Sequence, residues 1–433
     1  MRKAFCLLVM SAAAAGAATA TTPSDPIDLP TVLKLSGAQN ADVLLAEEKL
    51  REAEAREDGT LWQMFPSLSL GVGYRNHTGR TQAVTGQVFD VDKESLQAGG
   101  TIQLQLELGE AAYRRLAAQQ TTLAAGHGLE AQRRRSVAEA TQAYFDLVRA
   151  DLAARLHEEA SRIAADYHAQ VARAVAAGIA SKTDELRASA QLNRVKVRQA
   201  QAAETCAKEA NRLALLLRLR IDGALRPVAQ EAALLAFPEK DAPVEQLLTI
   251  ALARRPEIAE SEALAMAAAK EADGARYGPL YPVLGVQHFS GGLGGSTSSA
   301  RQDYASSADT SVTLTWRIGA GGLFDGSRQA ATDARERQAR LRGAAVRESI
   351  TRELVDAHAE TRSLCAQLEL LRQGVASSEL VLQAALRRKE FAVGTVLETV
   401  QSQQDALQAK LDYLQAMTEA NKAQYRLRHA AGG

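Results

Sequence analysis

Cysteine, proline and aromatic residues are scarce in this chain, and neither sign of charge predominates. The three cysteines, Cys6, Cys206 and Cys365, stand far apart and form no metal-ligand spacing and no C-x-x-C. Cys206 and Cys365 both fall in helical sequence, and no disulfide is expected between them. Lysine plus arginine equals aspartate plus glutamate, at 51 each, so charge gives no reason to expect nucleic acid as a partner. The seven histidines show no paired spacing, and His157-Glu158-Glu159-Ala160 fails the H-E-x-x-H pattern. Gly291-Gly292-Leu293-Gly294-Gly295 lacks the lysine and threonine of a P-loop and reads as a surface loop. No nucleophile has an identifiable base. No enzyme, metal or cofactor is therefore expected. Aromatics make up 4% of the chain, which suits closely packed helices with small side chains and not a β-sandwich. Beyond the N-terminus no run of about 20 apolar residues offers a transmembrane helix.

What is present begins with an export signal. Arg2 and Lys3 precede a short apolar core, and Ala18-Thr19-Ala20 is a small-residue cleavage site. Residues 1–20 read as a signal peptide cleaved near Ala20. The dominant feature lies further on. From Glu110 to Gly178 the chain runs without proline, filled with alanine, leucine, arginine, glutamate and glutamine. A helix of that length would measure roughly 100 Å at 1.5 Å per residue, too long for a compact domain. Val137, Ala140, Tyr144, Leu147, Val148, Leu152, Leu156, Ile163, Tyr167, Val171 and Val175 recur in steps of three and four. That stripe packs on neighbouring helices. Residues 326–394 repeat the same length and texture. Arg133-Arg134-Arg135 lies mid-helix without interleaved aromatics and reads as a solvated face.

Before each long helix the period changes to two. Leu68, Leu70, Val72 and Tyr74 alternate with Ser67, Ser69, Gly71, Gly73 and Arg75. A polar loop of about twenty residues is expected next, and then Thr101-Ile102-Gln103-Leu104-Gln105-Leu106-Glu107-Leu108 alternates again. Strands of 8–10 residues are expected, with a second pair near residues 282–289 and 310–318. Tyr281-Pro282-Val283-Leu284-Gly285-Val286 mirrors Phe65-Pro66-Ser67-Leu68-Ser69-Leu70 at an offset of 216 residues. The same offset carries Gly178 onto Gly394 and Leu108-Gly109 onto Phe324-Asp325. The expected organisation is a first repeat at 21–222, a connector at 223–255 and a second repeat at 256–433. Gly178 is expected as a left-handed C-cap and Ser181 as the cap of the following helix.

Strands of that length suit a tilted bilayer crossing. Aromatics gather at their ends: Trp62, Phe65, Tyr74, Tyr277, Tyr281, Phe289, Trp316 and Phe324. Such belts mark membrane–water interfaces. Four strands cannot close a barrel, and an open edge in lipid leaves backbone groups without partners. Other copies of the chain must complete the sheet, two giving eight strands and three giving twelve.

These features together resemble the outer-membrane efflux protein family of TolC-type channels. The resemblance covers the whole chain after the signal peptide. It rests on the duplication and the strand entry at Phe65-Pro66, with Leu323-Phe324-Asp325-Gly326-Ser327-Arg328 after the fourth strand. Ala253-Arg254-Arg255-Pro256-Glu257-Ile258 and the two glycine turns add to it. It implies a mainly α fold with a small β part: a trimeric α-barrel capped by a twelve-stranded transmembrane β-barrel. It implies an outer-membrane location in a Gram-negative-type cell, with a long periplasmic extension. It implies extracellular loops at residues 77–97 and 290–309. It also implies an exit duct for efflux or type I secretion, fed by a periplasmic adaptor protein and, indirectly, an inner-membrane pump. Gly178, Ile179, Ser181, Asp184, Val393, Gly394 and Thr395 would form the tip that meets the adaptor. In the family, acidic residues follow the second turn; here Glu398-Thr399-Val400-Gln401-Ser402-Gln403 is mostly uncharged, and Phe391 carries no hydroxyl. Arg387, Arg388, Phe391 and Glu398 become the candidates for the gate. From a different class, a secreted coiled-coil scaffold or adhesion protein would also explain the helices and the export signal, but not the strands.

Overall fold

The computed structural model describes residues 25–221, 225–228, 233–297, 300–390 and 396–433. The export signal, the second glycine turn with Phe391, Val393, Gly394 and Thr395, and part of the connector lie outside them.

Two copies of one unit make up the chain. The first runs α1 (Leu29–Gln39), α2 (Ala41–Trp62), β2 (Ser67–Gln82), β3 (Val88–Glu107), α3 (Leu108–Ala176) and α4 (Lys182–Leu216). The second runs α5 (Val244–Arg254), α6 (Pro256–Tyr277), β5 (Val283–Thr297), β6 (Ala300–Thr315), α7 (Gly326–Glu390) and α8 (Val396–Ala430). Corresponding elements lie about 215 residues apart. Two short strands, β1 (Asp25–Ile27) and β4 (Leu225–Pro227), pair in parallel beside the first unit. Helix α5, within the stretch read as connector, stands to α6 as α1 stands to α2.

Local chemistry sets the boundaries. Asp28 accepts a 3.1 Å bond from the Thr31 amide and starts α1, with proline in its first turn. Asn40 ends α1 and caps α2 by accepting from the Asp42 amide at 2.8 Å. Helix α3 runs 69 residues and α7 runs 65, as the absence of proline allows. Neither is stable alone at such low hydrophobicity; each is held by its neighbours. The side-by-side order of the long helices is α4, α3, α8, α7, and nearer the sheet α2, α3, α6, α7.

The four-stranded sheet is antiparallel, in the order β2-β3-β5-β6. Here the structure corrects the expected loops. Strand β2 continues to Gln82 and β3 begins at Val88, so most of residues 77–97 is paired strand. Likewise β5 reaches Thr297 and β6 starts at Ala300, which takes up residues 290–309. The physical reason is that pairing there is carried by the backbone while the few apolar side chains, Val88, Phe89, Val91, Leu293 and Tyr304 among them, are too scattered among polar ones for a sustained alternation to mark it. Side-chain links across the first hairpin include Thr78 to Asp92 at 3.0 Å and Arg80 to Asp90 at 3.7 Å. The fourth strand stops at Thr315, short of the expected Ile318, because the chain turns there toward α7.

The apolar core sits midway along the helices. In the first unit Tyr144, Phe145, Leu147 and Val148 of α3 pack on Leu213 and Leu217, with Ile27, Val32 and Leu225 closing one side. In the second, Ile350 and Leu354 of α7 pack on Leu247, Ile258 and Leu427. Cys206 is buried in the first core and Cys365 is half-buried; both are free thiols.

Candidate functional site

The sheet has one apolar and one polar face, and strand register decides which residue is on which. Leu68, Leu70, Val72 and Tyr74 of β2 stand level with Ile102, Gly100, Ala98 and Leu96 of β3. Leu104 and Leu106 continue that face beside Val286 and Leu284, which in turn face Val312 and Leu314. Leu70, Val72, Val312 and Leu314 are 58–80% exposed, an apolar surface that none of the described residues covers. From Leu106 to Leu96 the band measures roughly 33 Å along the strand, or about 25 Å in height at a barrel-like tilt. Beyond Tyr74 the same face turns polar, with Asn76, Thr78 and Arg80 beside Glu94, Asp92 and Asp90. The opposite face carries Ser67, Ser69, Gln103, Gln105, Gln287, Ser311 and Thr313.

Most of the aromatics singled out in the sequence lie at the base of the sheet. Trp62 and Phe65 stand with ring centroids 5.6 Å apart and are 72% and 61% exposed. Tyr281, Trp316 and Phe324 are exposed too, and the Trp316 indole donates to the Leu280 carbonyl at 3.4 Å. Tyr74 marks the far end of the apolar band. Phe289 is not among them: by register it lies on the polar face, and its ring covers Gly99 and Gly291. An aromatic that sequence reading passed over, Tyr304, lies across Gly292 and donates its hydroxyl to the Ala98 carbonyl at 3.1 Å. A tyrosine facing a run of glycines on the partner strand is the signal that could have found it.

Two elbows join sheet to helix. In the second, Asp325 accepts from the Ser327 hydroxyl at 2.6 Å, the Gly321 amide at 2.8 Å and the Arg328 amide at 3.0 Å. Those three donors hold its carboxyl at a pKa of about 2. Phe324 just before it takes φ of 68°, a left-handed conformation that an aromatic adopts only under constraint. The first elbow replaces this cap with contact. A Cβ on Gly109 would come within 2.4 Å of the Gly278 carbonyl, so only glycine lets α3 approach the end of α6. Arg114 of α3 bonds Gln63 at 3.0 Å and Glu107 at 3.2 Å.

At mid-length, Arg255 separates α5 from α6 and is 7% exposed. It donates to Glu353 of α7 at 2.6 Å and to Glu257 at 2.8 Å. His429 Nδ1 stands 3.6 Å from the same Glu353 carboxylate. The imidazole and the guanidinium together bring the Glu353 pKa down to about 2. The arginine triplet is not simply solvated. Arg133 pairs with Glu47 of α2 at 2.9 Å, and Arg134 donates to the Gly432 carbonyl at 3.2 Å. Arg135, bonded to Glu139, remains mostly exposed.

The far end of the first helical hairpin is a tight turn. Gly178 has φ of 70°, and the amides of Gly178 and Ile179 donate to the carbonyls of Val175 and Ala174. This is the Schellman arrangement. Ser181 then caps α4 by accepting from the Asp184 amide, while its hydroxyl donates to the Asp184 carboxylate at 2.9 Å. Ile179 projects from the turn, 83% exposed. Behind it Tyr167, Val171 and Ala188 are buried together against Val175 and Val400 of α8. Gln404 of α8 donates to Gln191 of α4 at 2.6 Å. On the second hairpin Arg388 pairs with Glu398 at 2.7 Å, bringing two of the gate candidates together. Arg387 is exposed on the same helix. Among the described residues no three His, Cys, Asp or Glu side chains converge as metal ligands would.

Comparison with known proteins agrees with this geometry. The sequence matches the family described as outer membrane efflux protein over residues 32–217 and 247–433. A membrane protein from Pseudomonas aeruginosa superposes with a TM-score of 0.77 at 22% identity, over 93% of each chain. The Campylobacter jejuni CmeC outer membrane channel gives 0.79 at 16% identity, over 98% of this chain and 93% of that one. The outer membrane protein VceC from Vibrio cholerae gives 0.73 at 19% identity, over 94% and 96%. No curated protein matches.

Proposed function

The chain belongs to the outer membrane efflux protein family, and on that footing we propose that three copies close into one duct. The duct carries solute from a periplasmic adaptor and its inner-membrane pump across the outer membrane. One observation supports this most directly. The sheet ends in unpaired edges, β2 on one side and β6 on the other. The helical layer is open on the same two sides, with α4 in the first unit and α7 in the second. Leu186 and Val197 on α4, and Leu370, Leu380 and Val381 on α7, are 56–69% exposed. A head-to-tail ring in which β6 and α7 of one copy meet β2 and α4 of the next covers every open surface at once. It also leaves no backbone edge in lipid.

In such a ring the apolar band faces lipid and the polar face lines the lumen. Trp62, Phe65, Tyr281, Trp316 and Phe324 sit at the periplasmic interface, Tyr74 at the outer one, and the long hairpins stand outside the cell. Gly178, Ile179, Ser181 and Asp184 form the periplasmic tip with the turn at Val393, Gly394 and Thr395. The exposed Ile179 offers an adaptor an apolar contact. Arg388 and Glu398 hold the tip closed, with Arg387 and Phe391 as the further candidates for the gate. Transport needs no covalent chemistry. The signal at residues 1–20 directs export, and the two repeats, expected at 21–222 and 256–433 with α5 joining the second, each supply one sixth of the ring's wall.

Native mass spectrometry of the detergent-extracted outer-membrane fraction tests this. Three copies of a chain starting near Thr21 are expected. A monomer confined to the soluble fraction would overturn the duct and return a secreted coiled-coil scaffold to consideration.

A further inference from the structure

Charge on the sheet is sorted by face. Beyond Tyr74, register puts Arg75 and His77 of β2 and Lys93 of β3 on the polar face, with Lys93 directly opposite His77. The acids of the same hairpin, Asp90, Asp92 and Glu94, fall on the other face. At the base of the sheet Arg317 lines a groove of the polar face with Gln103, Gln105, Gln287, Ser311 and Thr313. Arg114 borders the adjoining groove with Gln63 and Ser67. Two carboxylates of the strands share this face, and Glu110 at the start of α3 adds a third at its base, where it stands 3.8 Å from Arg114 and 2.6 Å from Arg328 and lines a pocket with Glu107 and Arg317. Glu107 is paired with Arg114 at 3.2 Å, and Asp309 stands opposite Phe289. Among the described residues Arg75, Lys93 and Arg317 enter no salt bridge. A chain with no net charge thus turns a positive balance toward one face of its sheet.

Resting on the duct reading, in which that face lines the lumen, we propose that the barrel is an anion-preferring passage whose solutes carry carboxylate, phosphate or sulfate groups. Each copy contributes two basic collars separated by neutral glutamine, serine and threonine. From Lys93 to Gln105 the strand covers roughly 40 Å, several times the ~8 Å screening length of physiological salt. The collars therefore act separately, one at the outer mouth and one where the helices hand over to the barrel. Rings of arginine and lysine in a pore raise the local concentration of anions and repel cations, because low-dielectric walls focus the field into the water. Asp309 between them lessens the balance without reversing it.

Reversal potentials of the reconstituted trimer in a potassium chloride gradient test the proposal. The two ions have nearly equal mobility, so a neutral lumen would give a potential near zero. Wild type is expected to favour chloride, with the preference shrinking in about 1 M salt as screening shortens to ~3 Å. Arg75→Glu with Lys93→Glu should shift the reversal potential toward potassium. The milder Arg75→Gln with Lys93→Gln should move it part of the way, should the double reversal fail to assemble. Recordings are also made on Glu398→Ala, whose tip pair is broken. Conducting steps that favour potassium, or that ignore these substitutions, would overturn the anion preference alone. No steps from either wild-type or Glu398→Ala trimers would count against the duct itself and the preference with it.

Discussion

Arg328 Nη1 donates a 2.6 Å hydrogen bond to Glu110 Oε1, joining the first turn of α7 to the first turn of α3. Each of these turns is where a strand hands over to a long helix. The bond thus fixes the two repeats to one another at the level where sheet meets helices. Glu110 also stands 3.8 Å from Arg114, so the pair belongs to a small network.

Glu110→Gln and Arg328→Gln should each loosen this junction. Both side chains are partly screened by solvent, so a double-mutant cycle on thermal unfolding of the extracted protein should return a coupling of about 1 kcal/mol. Strictly additive losses would mean that the bond contributes nothing.

The Glu353 network gives a pH dependence. Its folded pKa of about 2 lies below the ordinary glutamate value of about 4.3. A depressed carboxylate stabilises the fold fully above the unfolded pKa. That contribution is lost as pH falls from about 4.3 to about 2. Its 44% exposure reduces the effect to about 1 kcal/mol. Glu353→Gln should unfold earlier at neutral pH, and its stability should fall less than wild type's across that acid window. Parallel acid titrations of the two would contradict the assignment.

At the tip, Gly178→Val places a β-branched side chain at φ of 70°. The strain is on the order of 1–2 kcal/mol and is confined to the turn. Trimer yield should stay normal while export through the adaptor falls. Wild-type export would argue against contact at this turn.

Breaking the Arg388–Glu398 pair should ease opening. Arg388→Ala and Glu398→Ala trimers are expected to conduct for a larger fraction of the time in planar bilayers than wild type. Unchanged open time in both would place the gate elsewhere.

Neighbouring residues on β3 should respond in opposite ways to the same charge. Leu104→Arg puts a cation on the apolar band, where it costs about 2–4 kcal/mol in lipid. Gln103→Arg puts it on the polar face. The first should abolish trimer recovery from membranes and the second should leave it intact; equal yields would invalidate the assignment of faces.

Much of this was legible because it is local. The long helices follow from residues that favour helix and lack proline. The turn at Gly178 follows from a glycine and a serine at capping distance. The two faces of the sheet follow from alternation at Leu68–Tyr74 and Ile102–Leu106. What stayed hidden depends on partners far away in sequence. Residues 77–97 look like a loop because a few apolar residues, among them Val88, Phe89, Val91 and Leu96, interrupt a polar run without a sustained alternation, although a structureless loop of that length is itself unusual. Arg133 and Arg134 look solvated until Glu47 and the carbonyls of Gly432 and Arg254 come alongside. Phe289 looks like a belt residue until register puts it across from Asp309, on the polar face. Gly109 matches Asp325 only by the offset of 216 residues, and its reason shows once Gly278 is seen pressed against it.

The open edges also have a genetic consequence. In the proposed three-copy ring there would be three identical joints, each made from β6 and α7 of one copy and β2 and α4 of another. A copy with one spoiled edge can still join a ring by its sound one and leave it unclosed. In a cell making equal amounts of sound and spoiled chains, only about one ring in eight would be wholly sound if copies mix at random. Edge-breaking alleles of this protein should therefore be dominant, whereas alleles that stop the chain from folding should be recessive.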